Sequence, residues 1–96
     1  MSQITFIARM TVKEGREAEF IALCRELTEH VHAHEAGVAI YSFHRLREPQ
    51  RFAVLESFDS EAAEHAHMSS AKLAEIAPRI AACLIGTWER EYLDPL

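Results

Sequence analysis

Glycine is scarce in this sequence: Gly15, Gly37 and Gly86 are the only three, and each stands at a connection between patterned segments. A phosphate-cradling loop needs several glycines close together, so nucleotide binding of that kind is excluded, and flavin or nicotinamide use has no support. Cysteine is limited to Cys24 and Cys83, each inside an apolar helical pattern, where the residue acts as a small buried hydrophobe rather than half of a disulfide. Neither has a neighbouring base, and no serine lies in a nucleophile-elbow context. Basic residues are the minority sign: ten Lys and Arg against fifteen Asp and Glu give a formal charge of −5, which offers no bulk attraction to nucleic acid or an anionic membrane. No apolar run approaches bilayer-spanning length, and nothing ahead of the first strand reads as a signal peptide. The expected location is the cytoplasm.

What remains is ordinary globular composition, 49% apolar and 26% charged, in a length that suits one domain over residues 1–96 with a single modest core. Gln3 to Val12 alternates, with Ile4, Phe6, Ala8, Met10 and Val12 on one face and Thr5, Ile7, Arg9 and Thr11 on the other, which predicts a strand. From Arg16 onward Phe20, Leu23, Cys24, Leu27 and Val31 recur at helical spacing and predict a helix that covers the strand's apolar face. Its end is expected between His34 and Gly37, with Gly37 in the left-handed conformation. Val38 to Arg45 predicts a second strand, with Val38, Ile40, Ser42 and His44 opposed to Ala39, Tyr41 and Phe43, and the turn Leu46 to Gln50 makes it a hairpin with the next strand.

The segment Arg51 to Ser70, RFAVLESFDSEAAEHAHMSS, carries the chemistry. Phe52, Val54, Glu56 and Phe58 share one strand face, so a carboxylate stands among large apolar side chains. That is costly unless the group is paired or used, and Arg9 or Arg79 is the expected partner if the role is purely structural. Asp59 and Ser60 can cap a helix that folds back with almost no loop and carries His65 and His67. One of these histidines is expected near Glu56. Ser69-Ser70 supplies a second cap, so the helix is expected to bend or restart there. Pro78 is expected to kink or divide its continuation, Gly86 to end it, and Thr87 to Leu93 to form the last strand.

The resulting order, β-α-β-β-α-β, predicts a ferredoxin-like α+β fold, an antiparallel sheet with its helices on one face. The other face would carry Ile7 between Thr5 and Arg9, too apolar for full exposure. A homodimer with facing sheets is expected, forming a dimeric α/β barrel. His30 and His34 are four apart and can share a helix face, but no third ligand at standard spacing completes a metal site. A solvated helix end is expected for them, and the surface or dimer seam for His44.

Three pieces in order, VKEGREAEF, HEAGVAIYSFHR and FAVLESFDSEAAEHAHMSS, resemble the antibiotic biosynthesis monooxygenase family, and the resemblance spans nearly the whole chain. Its pattern of glutamate, an aromatic two residues on and histidine nine residues after that is matched by Glu56, Phe58 and His67. Family members often have proline at Ala36, tryptophan at Phe58 and histidine at Lys72. The haem-degrading branch uses asparagine and tryptophan where Ala8 and Phe58 stand, and this chain has no asparagine, so haem degradation is not expected.

The resemblance implies oxygenation of a small quinol or polyphenol by dioxygen without metal, flavin or haem. A base must then remove a phenolic proton in a dry pocket. His67 is the expected base, since an imidazole titrates near neutrality, and Glu56 would orient it, stabilise its charged form or bond a substrate hydroxyl. Phe6, Ala8, Phe58 and Met68 would line apolar walls, with Tyr41 as a hydroxyl partner. Lys72 points to an alternative, an isomerase of a small phosphorylated sugar-like ligand, and a non-catalytic dimeric ligand-binding protein is a third reading.

Overall fold

Alternating segments and apolar helical stripes assemble in this computed structural model, which describes residues 3–96, as seven elements. They are β1 (Ile4–Val12), α1 (Glu17–His34), β2 (Val38–Arg45), β3 (Arg51–Phe58), α2 (Glu61–Met68), α3 (Ala71–Ala81) and β4 (Leu84–Leu93). Met1 and Ser2, which the expected run into the first strand includes, lie outside the described residues. The strands form one antiparallel sheet in the order β2-β3-β1-β4, the ferredoxin-like α+β arrangement. Among the described residues no helix is long and apolar enough to cross a membrane.

Register decides what the helices cover. Tyr41, Glu56, Phe6 and Tyr92 lie in one row across the four strands, and Phe43, Val54, Ala8 and Arg90 in the next, all on the helix side. Against these rows pack Phe20, Leu23, Leu27 and Val31 of α1 and Ile76 and Ile80 of α3, all buried. Each such side chain removed from water contributes about 1.5–3 kcal/mol before entropy is set against it.

Several local expectations are corrected. Gly37 does not take a left-handed conformation, since the positive-φ glycines are Gly15 and Gly86. What Gly37 supplies is space: a Cβ there would stand 2.8 Å from Ala63 Cβ, so its bare backbone lets α2 pack directly on the start of β2. A bulge between Val38 and Ile40 breaks the alternation of β2, so Val38 packs on the core with Tyr41 and Phe43, and Ile40 turns to the open face. Pro78 does not divide its helix. α3 runs through it, closing with Ala82 N–H on Pro78 O at 3.1 Å, because burial of Ile76 and Ile80 on either side offsets the one lost donor.

The break falls instead at Ser69 and Ser70. Ser70 Oγ accepts from Leu73 N–H and starts α3, as Ser60 Oγ accepts from Ala63 N–H to start α2, both at 3.1 Å. Asp59 makes no such cap. Gly86 does not end a helix either. It lies inside β4 at φ 72°, where Ile85 to Glu89 oppose only Thr11 to Arg9 and the extra residues bulge outward. β4 accordingly begins at Leu84 rather than at Thr87.

Candidate active site

Glu56 sits mid-strand on the central strand β3, opposite Phe6 and Tyr41, and is only 6% exposed. The short helix α2 buries a single residue, His67, at 2% exposure, because the tight β3–α2 connection and the Gly37 contact press the helix onto the sheet. His67 Nε2 stands 3.6 Å from Glu56 Oε1, close but beyond a hydrogen bond. On its other side His67 Nδ1 is 2.8 Å from Glu35 Oε1. A carboxylate there can only accept, so Nδ1 carries a proton, and Nε2 is the ring nitrogen that faces Glu56. Tyr41 and Phe58 hold the ring plane, with centroids 5.0 Å and 5.4 Å away.

Burial dominates the charge state of Glu56. It pushes the carboxyl up to about 8, with the negative charges of Glu64 and Glu35 adding to the rise and Arg90 opposing it. At neutral pH Glu56 is therefore mainly a carboxylic acid, able to donate a hydrogen bond. Its Oε1 and Glu35 Oε2 are buried without hydrogen-bond partners among the described residues, an expense that a bound polar group would relieve. Among the described residues Glu56 makes no ion pair with the expected arginines, since Arg9 bonds Glu91 at 2.9 Å on the open face and Arg79 is exposed on α3. Tyr41 is raised above the ordinary phenol range by burial and stays a neutral hydroxyl.

Beside Glu56 and His67 lies a cavity of about 100 Å³ walled by Ala8, Val54, Leu27, Leu73, Ile80 and the flexible thioethers of Met10 and Met68. Tyr41, Phe43, Trp88 and Arg90 complete its boundary. Of the residues expected to line a pocket, Ala8, Tyr41 and Met68 do so. Phe6 and Phe58, both 0% exposed, stand behind the lining, where Phe58 backs His67 and Phe6 carries the Arg90 guanidinium at 4.5 Å. Lys72 is outside the cavity, its ammonium 2.7 Å from Glu26 and 3.7 Å from Glu75. Lys72 is half-buried against α1, and its ammonium is engaged there rather than at the cavity lining.

Two residues that the sequence reading passed over belong here. Glu35 follows the last residue of α1, where the negative end of the helix dipole disfavours a carboxylate, and that misplacement was the available signal. Arg90 reaches the cavity from β4 and makes no ion pair among the described residues. Of the other histidines, His30 and His34 stack with ring centroids 4.6 Å apart, and His44 Nε2 lies 2.8 Å from Ser42 Oγ near the edge of the open face. No group of three His, Cys, Asp or Glu side chains converges as a metal would need among the described residues. Cys24 and Cys83 are buried free thiols.

A buried imidazole oriented by one carboxylate, with a neutral second carboxyl 3.6 Å away beside a mostly apolar-walled cavity, can move a proton to and from a small ligand. Comparison with known proteins supplies the lineage. Residues 3–79 match the family described as antibiotic biosynthesis monooxygenase. The chain belongs to that family. Family membership and solved neighbours bearing the same name support a monooxygenase as the general class. A candidate antibiotic biosynthesis monooxygenase of Caulobacter crescentus CB15 is 26% identical, with a TM-score of 0.93 over 98% of this chain and 90% of that one. A conserved protein of Methanosarcina mazei Go1 is 29% identical at a TM-score of 0.88, covering 97% and 92%. SnoaB of Streptomyces nogalater, described as a cofactor-independent oxygenase, shares the fold at 19% identity and a TM-score of 0.84, covering 99% and 94%. No curated protein matches the chain.

Proposed function

We propose that this family member is a cofactor-independent monooxygenase that oxidises a small quinol or polyphenol with dioxygen, using His67 as base and Glu56 as the group that receives the substrate oxygen. The observation that carries the reading is the pair of contacts at His67: Nδ1 held by Glu35 at 2.8 Å, Nε2 free and 3.6 Å from a carboxyl that is neutral at pH 7. A phenolic hydroxyl seated between Nε2 and Glu56 can reach both. Nε2 takes its proton, and Glu35 stabilises the imidazolium that forms. The oxygen left negative accepts from the Glu56 O–H and feels the positive charge of Arg90. The anion gives an electron to dioxygen far more readily than the neutral ring does. Apolar walls keep water from competing for that charge.

Cofactor independence is what the family resemblance implies, and it is the printed description of SnoaB, a protein of the same fold. With Lys72 engaged by two glutamates, no observation favours a phosphorylated ligand. The working unit in this reading is a homodimer joined through the open sheet face, where Ile7, Leu55, Ile40 and Leu93 leave apolar surface for a second copy to cover. Two unpaired thiols suit the reducing cytoplasm.

Oxygen uptake by purified, metal-stripped protein with a panel of single-ring quinols tests the assignment. Uptake without added cofactor that falls at least about 100-fold in a folded His67→Ala variant is expected, the usual scale of general-base catalysis. Equal uptake by the variant would sink the role of His67. No uptake from folded protein that still binds phenols would leave a ligand-binding module instead.

A further inference from the structure

A second hollow of about 650 Å³ lies between α1 and the edge strand β2, with Phe20, Ile21 and Phe52 on its inner wall and the exposed Arg25, Glu29, His32 and Arg45 on its solvent side. Tyr41 and Phe43 line both this hollow and the cavity beside His67, so these two rings form the shared wall. Tyr41 is 3% exposed and pinned against His67, whereas Phe43 is half-buried and stands edge-on to Tyr41 at 5.7 Å and to Phe20 at 6.2 Å. Space on the catalytic side is short. An apolar cavity of about 150 Å³ is known to accept benzene, and this one measures about 100 Å³. Small movements of Met10 and Met68 can admit one ring, but a fused second ring has to displace a wall.

Toward β4 the cavity is bounded by Arg90 and Trp88, where an apolar ring would strip water from a guanidinium that makes no ion pair among the described residues. Toward β2 the Tyr41 and Phe43 rings separate it from the hollow, whose inner wall of Phe20, Ile21 and Phe52 is apolar, and of the two rings only Phe43 is not pinned against His67. We propose that Phe43 is the specificity-determining partition of this site: its ring restricts the catalytic cavity to single-ring aromatics, and its removal joins the two spaces and admits a fused second ring. The inference rests on the aromatic-binding reading of the cavity given above. It does not require that the bound ring be oxidised.

Trp88 lines the cavity and is the sole tryptophan, so its indole N–H gives one isolated NMR signal that reports occupancy. Titrating wild-type, Phe43→Ala and Phe43→Leu proteins with phenol and with 1-naphthol measures the discrimination. Wild-type protein should bind phenol at least 10-fold better than 1-naphthol once the larger molecule's greater hydrophobicity is corrected by its partition coefficient. Phe43→Ala should shift that ratio at least 10-fold toward 1-naphthol, and Phe43→Leu, which keeps more of the packing should the alanine variant fail to fold, should shift it part of the way. An unchanged ratio in folded variants overturns the partition, as does a wild-type protein without the corrected preference. Absence of binding by either compound to any of the proteins overturns both the partition and the aromatic site. Selective binding with no oxygen uptake removes the oxygenase reading and leaves the partition standing.

Discussion

At the scale of single residues, Glu56 ties stability to pH. In the unfolded chain its carboxyl titrates near the ordinary value of about 4.3, while in the fold burial holds it up to about 8. Between those two values the native state keeps a proton that the unfolded state has lost. Stability contributed by the neutral acid is therefore complete below the lower value and is lost as pH rises through the upper one. Glu56→Gln cannot ionise, so urea denaturation at pH 5 and pH 8.5 should show wild-type protein losing a few kcal/mol relative to the variant, at roughly 1.4 kcal/mol per pH unit. Parallel losses in the two proteins would contradict a buried neutral carboxyl. The anomaly of this residue was legible in the sequence, because a glutamate in period two with Phe52, Val54 and Phe58 has to face the core. Its geometry was not. The contact that orients His67, expected of Glu56, is made by Glu35, which lies 32 positions from His67 in sequence and bonds it because α1 and α2 end side by side.

At the scale of elements, the position of α2 depends on Gly37. The missing Cβ lets Ala63 approach the chain leading into β2, and Asp59 N–H bonds Gly37 O at 2.9 Å to close the corner. Gly37→Ala places a methyl 2.8 Å from Ala63 Cβ, where both neighbours are fixed to backbone and neither can rotate away. An overpacking cost of about 1–3 kcal/mol is expected in chemical denaturation. Turnover should fall with it, since His67 rides on the displaced helix while Glu35 stays on α1. A double-mutant cycle with Ala63→Gly should recover part of the loss despite the helix penalty of glycine, about 1 kcal/mol. An undiminished stability in Gly37→Ala would show that α2 is not seated by this contact. Glycine at the end of a helical stripe signalled a stop correctly, but the reason for it was steric approach by a helix 26 residues later in the chain, which local conformational rules do not contain.

At the scale of the whole molecule, the sheet has one face under helices and one without cover. On the open face Thr5 bonds Ser57 at 2.8 Å and Arg9 bonds Glu91 at 2.9 Å, so much of its polar inventory is satisfied within the sheet, leaving Ile7 and Leu55 side by side at its centre. A facing copy can cover these two, while Glu89, opposite Arg9 on the same face and without an ion pair among the described residues, would need solvent or a cation of that copy. Sedimentation of the wild-type protein as a dimer and of Ile7→Glu as a monomer is the expected result, because the new carboxylate would be buried at the seam. A monomeric wild-type protein, or a variant that remains dimeric, would remove the facing-sheet arrangement.

Sequence by itself determined the element order, the ferredoxin-like topology, the family and the apolar faces, together with the conspicuous position of Glu56. The family came from the resemblance of three motifs, and the rest follow from periodicity and short-range chemistry, which a chain carries in the spacing of its residues. Only the tertiary structure decided that Glu35 and Arg90 stand at the site and that Lys72 is held elsewhere by Glu26. It also decided that bulges turn Val38 inward and set the register of β4, and that Phe43 divides two hollows. The physical reason is the same in each case. A long-range contact depends on how whole elements pack and on where a strand slips by a residue, and neither quantity is encoded in the local pattern that makes the element form.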